Sequence, residues 1–253
     1  MTDNPTACLL VIGNEVLSGR TQDANLKYIA TRLGELGIAL REARVIPDVP
    51  EVIIGTVNEV RARFDHVFTT GGIGPTHDDI TSECISAAFG VPWEPHPVAF
   101  EKMQASYKPG DFNAARQRMA TMPRGASLIE TTASIAPGFS IGNVHVLAGV
   151  PRICQAQFEA VAATLRGGLP IISRAVHAKG LMEGTLAAPL SDIQGRYPAL
   201  DIGSYPYYRD GGGGVSIVAK GTDAPGAEAA IREVTAMMRA LGASPVQGEP
   251  PPA

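Results

Sequence analysis

Apolar residues recur along this chain in two alternating rhythms. Residues 7–12, ACLLVI, form an unbroken apolar run ending at Gly13, the pattern of a strand buried on both faces. Leu26, Ile29, Ala30, Leu33 and Leu36 follow at helical spacing. They predict a helix over 23–36, with Asp23 capping its start and Gly37 its end. Residues 38–46, IALREARVI, predict a second strand, and Ile53, Val57, Val60 and Phe64 a second helix stripe. DHVFTT, 65–70, predicts a third strand, then a glycine loop and a further helix starting near Asp79. Strand and helix in alternation predict a mostly parallel sheet with helices on both faces. Residues 92–126 read as mainly helical, broken at Pro109-Gly110. Strands are expected at 127–130 and 144–149, and a helix from Pro151, which suits a first helical turn.

The rhythm changes near Gly167-Gly168. Beyond it the expected order is strand (171–178), helix (182–196), strand (200–207), a mobile hairpin loop over Gly211–Gly214, strand (215–219) and helix (225–241). This gives three expected segments: an α/β domain over 1–168, a small α+β domain over 169–243, and a disordered tail over 244–253.

Composition narrows the classes. Hydrophobic residues make up 45% of the 253 and charged residues 18%, enough for a substantial core. The net charge is −4 and Lys and Arg form no cluster, which argues against nucleic acid as a partner. The N-terminus does not read as a signal peptide, and no apolar run approaches a membrane span. Cys8, Cys84 and Cys154 form no CxxC pair, so reduced thiols in a cytoplasmic protein are expected, with Cys8 and Cys84 acting as small core side chains.

Candidate chemistry concentrates in TTGGIGPTHDDIT, residues 69–81. In an open parallel sheet, ligands bind beyond the carboxyl ends of the strands. Gly71, Gly72 and Gly74 let the backbone present its N–H groups, the following helix adds its positive end, and Thr69, Thr70 and Thr76 add hydroxyls. The loop is neither a Walker A motif nor a Rossmann fingerprint. A plain strand-to-helix turn, with Asp78 or Asp79 as N-cap, competes with an anion site. Two carboxylates beside a phosphate are unfavourable unless a cation lies between them, so Asp78 and Asp79 point to a phosphate-ester or nucleotide site with a divalent metal. Glu15 and Asp48 are expected on the same sheet edge, as site residues or as helix-capping acids. His77 reads as a proton carrier or a structural hydrogen-bonding group. Arg116 and Arg118 read as phosphate contacts or as a solvated helix face.

TTGGIGPTHDDIT resembles the signature loop of the molybdopterin-binding (MoaB/Mog-like) domain family, and GNEVLSGRTQDANLKYIATRLGELGI resembles that family's opening strand, loop and helix. NAARQRMATMPRGASLI, APGF (136–139) and LAGVP (147–151) resemble later blocks of one subgroup, and DIGSYPYYRDGGGG resembles that subgroup's second, smaller domain. The subgroup contains the N-terminal domains of competence/damage-inducible protein A and of eukaryotic FAD synthase. The resemblance implies a three-layer α/β sandwich and a homo-oligomer, dimer or trimer. It also implies metal-dependent hydrolysis of nucleotide pyrophosphates such as ADP-ribose or FAD. The alternative is a non-catalytic protein that binds molybdopterin or another phosphorylated pterin. On the first reading Asp79, with Asp78 and Glu15, holds Mg²⁺, Mn²⁺ or Co²⁺. Asp79 and Asp78 are then the catalytic pair, and Thr70, Gly71, Gly72, Gly74, Thr76, Asp48 and Arg116 contact the ligand. The chain departs from the family in three ways. It shows neither a PAPS-reductase-like nor a nicotinamide-nucleotide amidase domain. It has Asp78 where molybdenum-cofactor members usually carry Arg, and Thr131-Thr132 where relatives often have Asn-Pro.

Overall fold

The computed structural model describes residues 4–209 and 212–251. The chain divides into two compact units, the first ending at Gly168 and the second beginning at Leu169.

The first unit runs β1 (Thr6–Ile12), α1 (Asn14–Leu17), α2 (Asn25–Glu35), β2 (Ala39–Ile46), α3 (Pro50–Arg61), β3 (His66–Thr70), α4 (Thr81–Phe89), β4 (Trp93–Pro95), α5 (Pro97–Ser106), α6 (Ala114–Arg118), β5 (Thr121–Pro123), β6 (Ser127–Ile129), β7 (Gly138–Ile141), β8 (Val144–Leu147) and α7 (Pro151–Ala162). The six-stranded sheet has the order β2-β1-β3-β8-β7-β6. Its first four strands are parallel, and β7 and β6 run antiparallel.

The apolar run of β1 builds both halves of the core, because successive side chains leave a strand on opposite faces. Ala7, Leu9 and Val11 pack with Ile29 and Leu33 of α2 and Phe158 of α7. Cys8, Leu10 and Ile12 pack on the other face with Ile53, Val57 and Val60 of α3 and Ile85 of α4. The result is the three-layer sandwich expected from the sequence. Thiol chemistry is suppressed in it: burial pushes Cys8 and Cys84 up to about 11 and Cys154 up to about 12.

One local expectation fails and one strand goes unannounced. Residues 92–126 are not mainly helical, because β4 and β5 form a two-stranded antiparallel ladder flanking α5 and α6. Pro95 and Pro97 push the residues before them into extended conformations, and His96 has φ −78° and ψ 120°. The strand β7 carries no pattern of its own, since four residues are too few to show a period.

His145 on β8 is buried among aromatic rings, with Phe68 at 5.0 Å and His66 at 5.7 Å. Its Nδ1 lies 2.9 Å from Ser140 Oγ, and its Nε2 is buried without a partner. Burial, with a smaller push from His66, lowers its pKa from 6.5 to about 4. The unfolded chain therefore takes up a proton near pH 6.5 that the folded chain refuses until about pH 4. Stability is intact above pH 6.5 and is lost between these values, by about 3 kcal/mol. Urea unfolding between pH 7 and 4.5 is expected to show this slope, and His145→Gln is expected to flatten it. Equal slopes in the two proteins would refute the assignment.

The second unit contains β9 (Ile172–Lys179), α8 (Glu183–Arg196), β10 (Asp201–Arg209), β11 (Gly212–Gly221), α9 (Ala224–Ala240) and β12 (Val246–Gln247). Its antiparallel sheet has the order β10-β11-β9-β12. One core unites Val176, Val215 and Ile217 of the sheet with Leu186 and Ile193 of α8 and Ile231 and Val234 of α9. The glycines expected as a mobile hairpin loop belong instead to β11: Gly212, Gly213 and Gly214 pair with Arg209, Tyr208 and Tyr207. Gly211 lies outside the described residues. A Cβ on Gly214 would fall 2.3 Å from Ala178 O and 2.6 Å from the Tyr207 hydroxyl, so glycine lets this central strand approach its neighbours. The expected disordered tail is also corrected within 246–249. β12 pairs with β9, Gly248 O lies 2.9 Å from His177 Nδ1, and Ser216 Oγ donates to Glu249. Backbone pairing to an open strand edge needs no side-chain pattern, so composition alone misses it. Among the described residues, no helix is long and apolar enough to cross a membrane.

Candidate active site

The parallel registers level the carboxyl ends of β1, β3 and β8. Val11 stands opposite Thr70, and Thr70 opposite Leu147. Between β1 and β3 the strand order reverses, which opens a crevice at that edge. The loops after the three strands are stitched together there. Gly71 N–H donates to Leu147 O (3.2 Å), Asn25 Nδ2 donates to Gly149 O (2.9 Å), and a Cβ on Gly149 would fall 3.3 Å from Gly71 Cα.

Gly71 and Gly72 adopt φ +99° and +68°, which side chains disfavour. A Cβ would fall 2.2 Å from Ile12 O at Gly71 and 2.1 Å from Thr81 Oγ1 at Gly72. The loop ends as α4 begins at Thr81, two residues later than expected. Its N-cap is Ile80, and no side chain caps it. The N-terminus of α7, at Val150-Pro151, also lacks a side-chain cap. Two helix N-termini with their partial positive charge thus follow directly from two of these loops. The hydroxyls of Thr69, Thr70 and Thr81 are buried there without partners.

Neither aspartate caps α4. Asp79 Oδ2 accepts from Thr76 N–H (2.8 Å) and lies 2.6 Å from Thr76 Oγ1, closing the turn of residues 76–79. Asp78 Oδ1 lies 2.5 Å from the same hydroxyl. That hydroxyl carries one proton and can satisfy one carboxylate at a time. The side-chain hydrogen bond from Thr76 holds Asp78 below the usual carboxylate range, which keeps it ionised. Gly74 makes room for the arrangement, since a Cβ there would fall 2.7 Å from Asp79 Oδ2. His77 is 99% exposed, with its ring 4.0 Å from Asp78.

Three expected site residues are engaged with other partners. Asp48 accepts from Asn14 N–H (2.8 Å) and so fixes the start of α1. The Glu15 carboxylate is folded back on Gly13, where a Cβ would fall 2.4 Å from Oε1. Among the described residues no three His, Cys, Asp or Glu side chains converge as a metal shell, so Glu15 does not complete one with Asp78 and Asp79. Arg116 serves its own loop: it stacks 4.7 Å over Tyr107 and donates to Asp111 O. Its neighbour Arg118 reaches the aspartates instead, donating from Nη2 to Asp79 O (3.2 Å) and lying 5.0 Å over the Trp93 ring. Residues two apart on a helix face different ways, so only one of the pair can meet the loop.

Beside Asp79 lies a small cleft walled by Ile73, Trp93, Arg118, Met122 and Phe139. Trp93 is locked by hydrogen bonds from Nε1 to Ser82 Oγ and Thr121 O, both 3.0 Å. Sequence reasoning missed Trp93 and Phe139. A lone tryptophan before a glutamate and a proline carries no signal for a site wall. The donor set at Thr76, Asp78 and Asp79 suits a hard divalent cation, which is often held by one or two carboxylates together with substrate phosphates.

Residues 8–167 match the family described as a probable molybdopterin binding domain, and residues 170–246 match the FAD synthase middle domain; the chain belongs to the first family over most of its length. A protein of Pyrobaculum calidifontis is 34% identical over 80% of this chain and 81% of its own. A CinA-like protein of Parasynechococcus marenigrum is 32% identical over 91% of this chain, which spans 57% of that relative's length. Among solved structures, the protein CinA of Thermoplasma acidophilum, described as of unknown function, is 29% identical. It matches with a TM-score of 0.60 over 64% of this chain and 99% of its own.

Proposed function

We propose that this site hydrolyses the diphosphate bond of nucleotide diphosphate esters of the ADP-ribose or FAD type, with a divalent metal ion held by Asp78 and Asp79. The observation that carries the proposal is the placing of both carboxylates on one Thr76 hydroxyl at the mouth of an anion-binding loop. Left alone, that arrangement sets two negative groups against each other and against an incoming phosphate. A divalent ion makes it favourable and supplies Lewis-acid charge to the phosphoryl oxygens. The chain's own groups do the rest. Backbone N–H groups of the glycine loop and the start of α4 bind and orient phosphate oxygens. Water adds across the P–O–P link, so that ADP-ribose yields AMP and ribose phosphate.

A second reading, binding of a phosphorylated pterin without turnover, is favoured by the description of the family. It needs the glycine loop and has no use for Asp78. AMP release from ADP-ribose and FAD with Mg²⁺, Mn²⁺, Co²⁺ or EDTA separates the two. Release with metal and none with EDTA is the expected result. No release with any of the metals, together with pterin binding in EDTA, would replace the first reading with the second.

A further inference from the structure

Asp79 stands between two groups suited to anions. Its carboxylate abuts Gly74 of the glycine loop, and its backbone carbonyl accepts from Arg118. Arg118 is far from saturated. Nη2 carries the bond to Asp79 O and lies 4.0 Å from Glu83 Oε2, while Nε is buried without a partner. The Trp93 ring fixes the guanidinium plane from one face. With 33% of its side chain exposed, Arg118 still reaches the cleft it lines with Asp79. A guanidinium that is stacked and only partly bonded is preorganised for a further oxygen anion, because its fork of donors matches phosphate. One anion-binding element on each side of a carboxylate is more than a single phosphate needs.

We infer that Arg118 holds the second phosphate of the diphosphate, the glycine loop taking the first, and so sets the preference over a monophosphate. The inference rests on the reading above that the loop binds phosphate, and it adds a specificity-determining residue. It assigns Arg118 two hydrogen-bonding duties: to brace Asp79 through its carbonyl, and to hold the second phosphate.

Calorimetric binding of inorganic pyrophosphate and orthophosphate, in Mg²⁺, separates those duties. Wild-type protein is expected to prefer pyrophosphate. Arg118→Gln is expected to weaken pyrophosphate binding roughly 10- to 100-fold, the worth of charge-assisted hydrogen bonds, and to leave orthophosphate within about 3-fold. Arg118→Lys keeps the charge without the fork, so it is expected to recover only part of the preference. It also provides the comparison if the glutamine variant does not fold. An equal loss for both anions would reduce Arg118 to a brace, and unchanged pyrophosphate binding would remove it from the site. Either result overturns the inference while leaving the phosphate loop standing. Wild-type protein that binds neither anion would overturn both.

Discussion

Asp79→Asn is expected to lower metal-dependent AMP release about a thousand-fold while leaving the fold intact. The substitution is isosteric, and the amide oxygen can still accept from Thr76 N–H, now at 2.8 Å from Asp79 Oδ2. What disappears is one of the two charges gathered on Thr76. A metal's charge stabilisation of a phosphoryl group is worth several kcal/mol. At about 1.4 kcal/mol per factor of ten, losing most of it gives a loss of that order. Orthophosphate binding in EDTA is expected to hold or improve, since the variant repels an anion less. Release within tenfold of wild type would remove Asp79 from the role assigned to it.

Gly71→Ala is expected to have the largest effect on stability, roughly 4 kcal/mol. Its φ of +99° is strained for any side chain, and its Cβ would fall 2.2 Å from Ile12 O. That oxygen belongs to the backbone of β1, a strand paired on both sides, so it cannot swing aside as the end of a flexible side chain would. Backbone strain and overpacking each contribute about 1–3 kcal/mol. For a chain of this size the sum lowers the melting temperature by about 10 °C. Gly55→Ala is the matched control. Gly55 lies in α3, where an added Cβ would meet nothing within 4 Å, and the change is expected to stabilise by about 0.5–1 kcal/mol. Thermal unfolding of the two variants measures both signs. A Gly71→Ala melting temperature within 2–3 °C of wild type, on the order of 1 kcal/mol, would refute the argument.

The parts of the fold legible in the sequence were those where burial writes a period. The run of β1 and the stripes of α2 and α3 announce a strand covered on both faces, and they form one. The small ladder of β4 and β5, the four residues of β7 and the two of β12 write no period, because they are held by backbone pairing and turn geometry. The site divides in the same way. Gly71, Gly72, Gly74, Asp78 and Asp79 are consecutive enough for chemistry to be read from spacing, and the structure sets them in one loop. Glu15, Asp48 and Arg116 were placed only by being near strand ends or in a basic segment. Side-chain direction decides such cases, and it turns Glu15 back on Gly13, Asp48 onto Asn14 and Arg116 onto Tyr107. Arg118, offered by the sequence only alongside Arg116, and Trp93, not offered at all, enter the site from elements 39 and 14 residues from Asp79, a separation that no local pattern bridges.

The central claim is that Asp78, Asp79 and the glycine loop form a metal-dependent site for cleaving a diphosphate. The most direct measurement is a ³¹P NMR time course of ADP-ribose with the wild-type protein, run with Mg²⁺ or Mn²⁺ removed at sampling and again in EDTA. The account predicts that the diphosphate resonances fall with metal present while two phosphomonoester resonances grow in equal amounts, and that nothing changes in EDTA. A diphosphate spectrum that stays constant with metal present would contradict it.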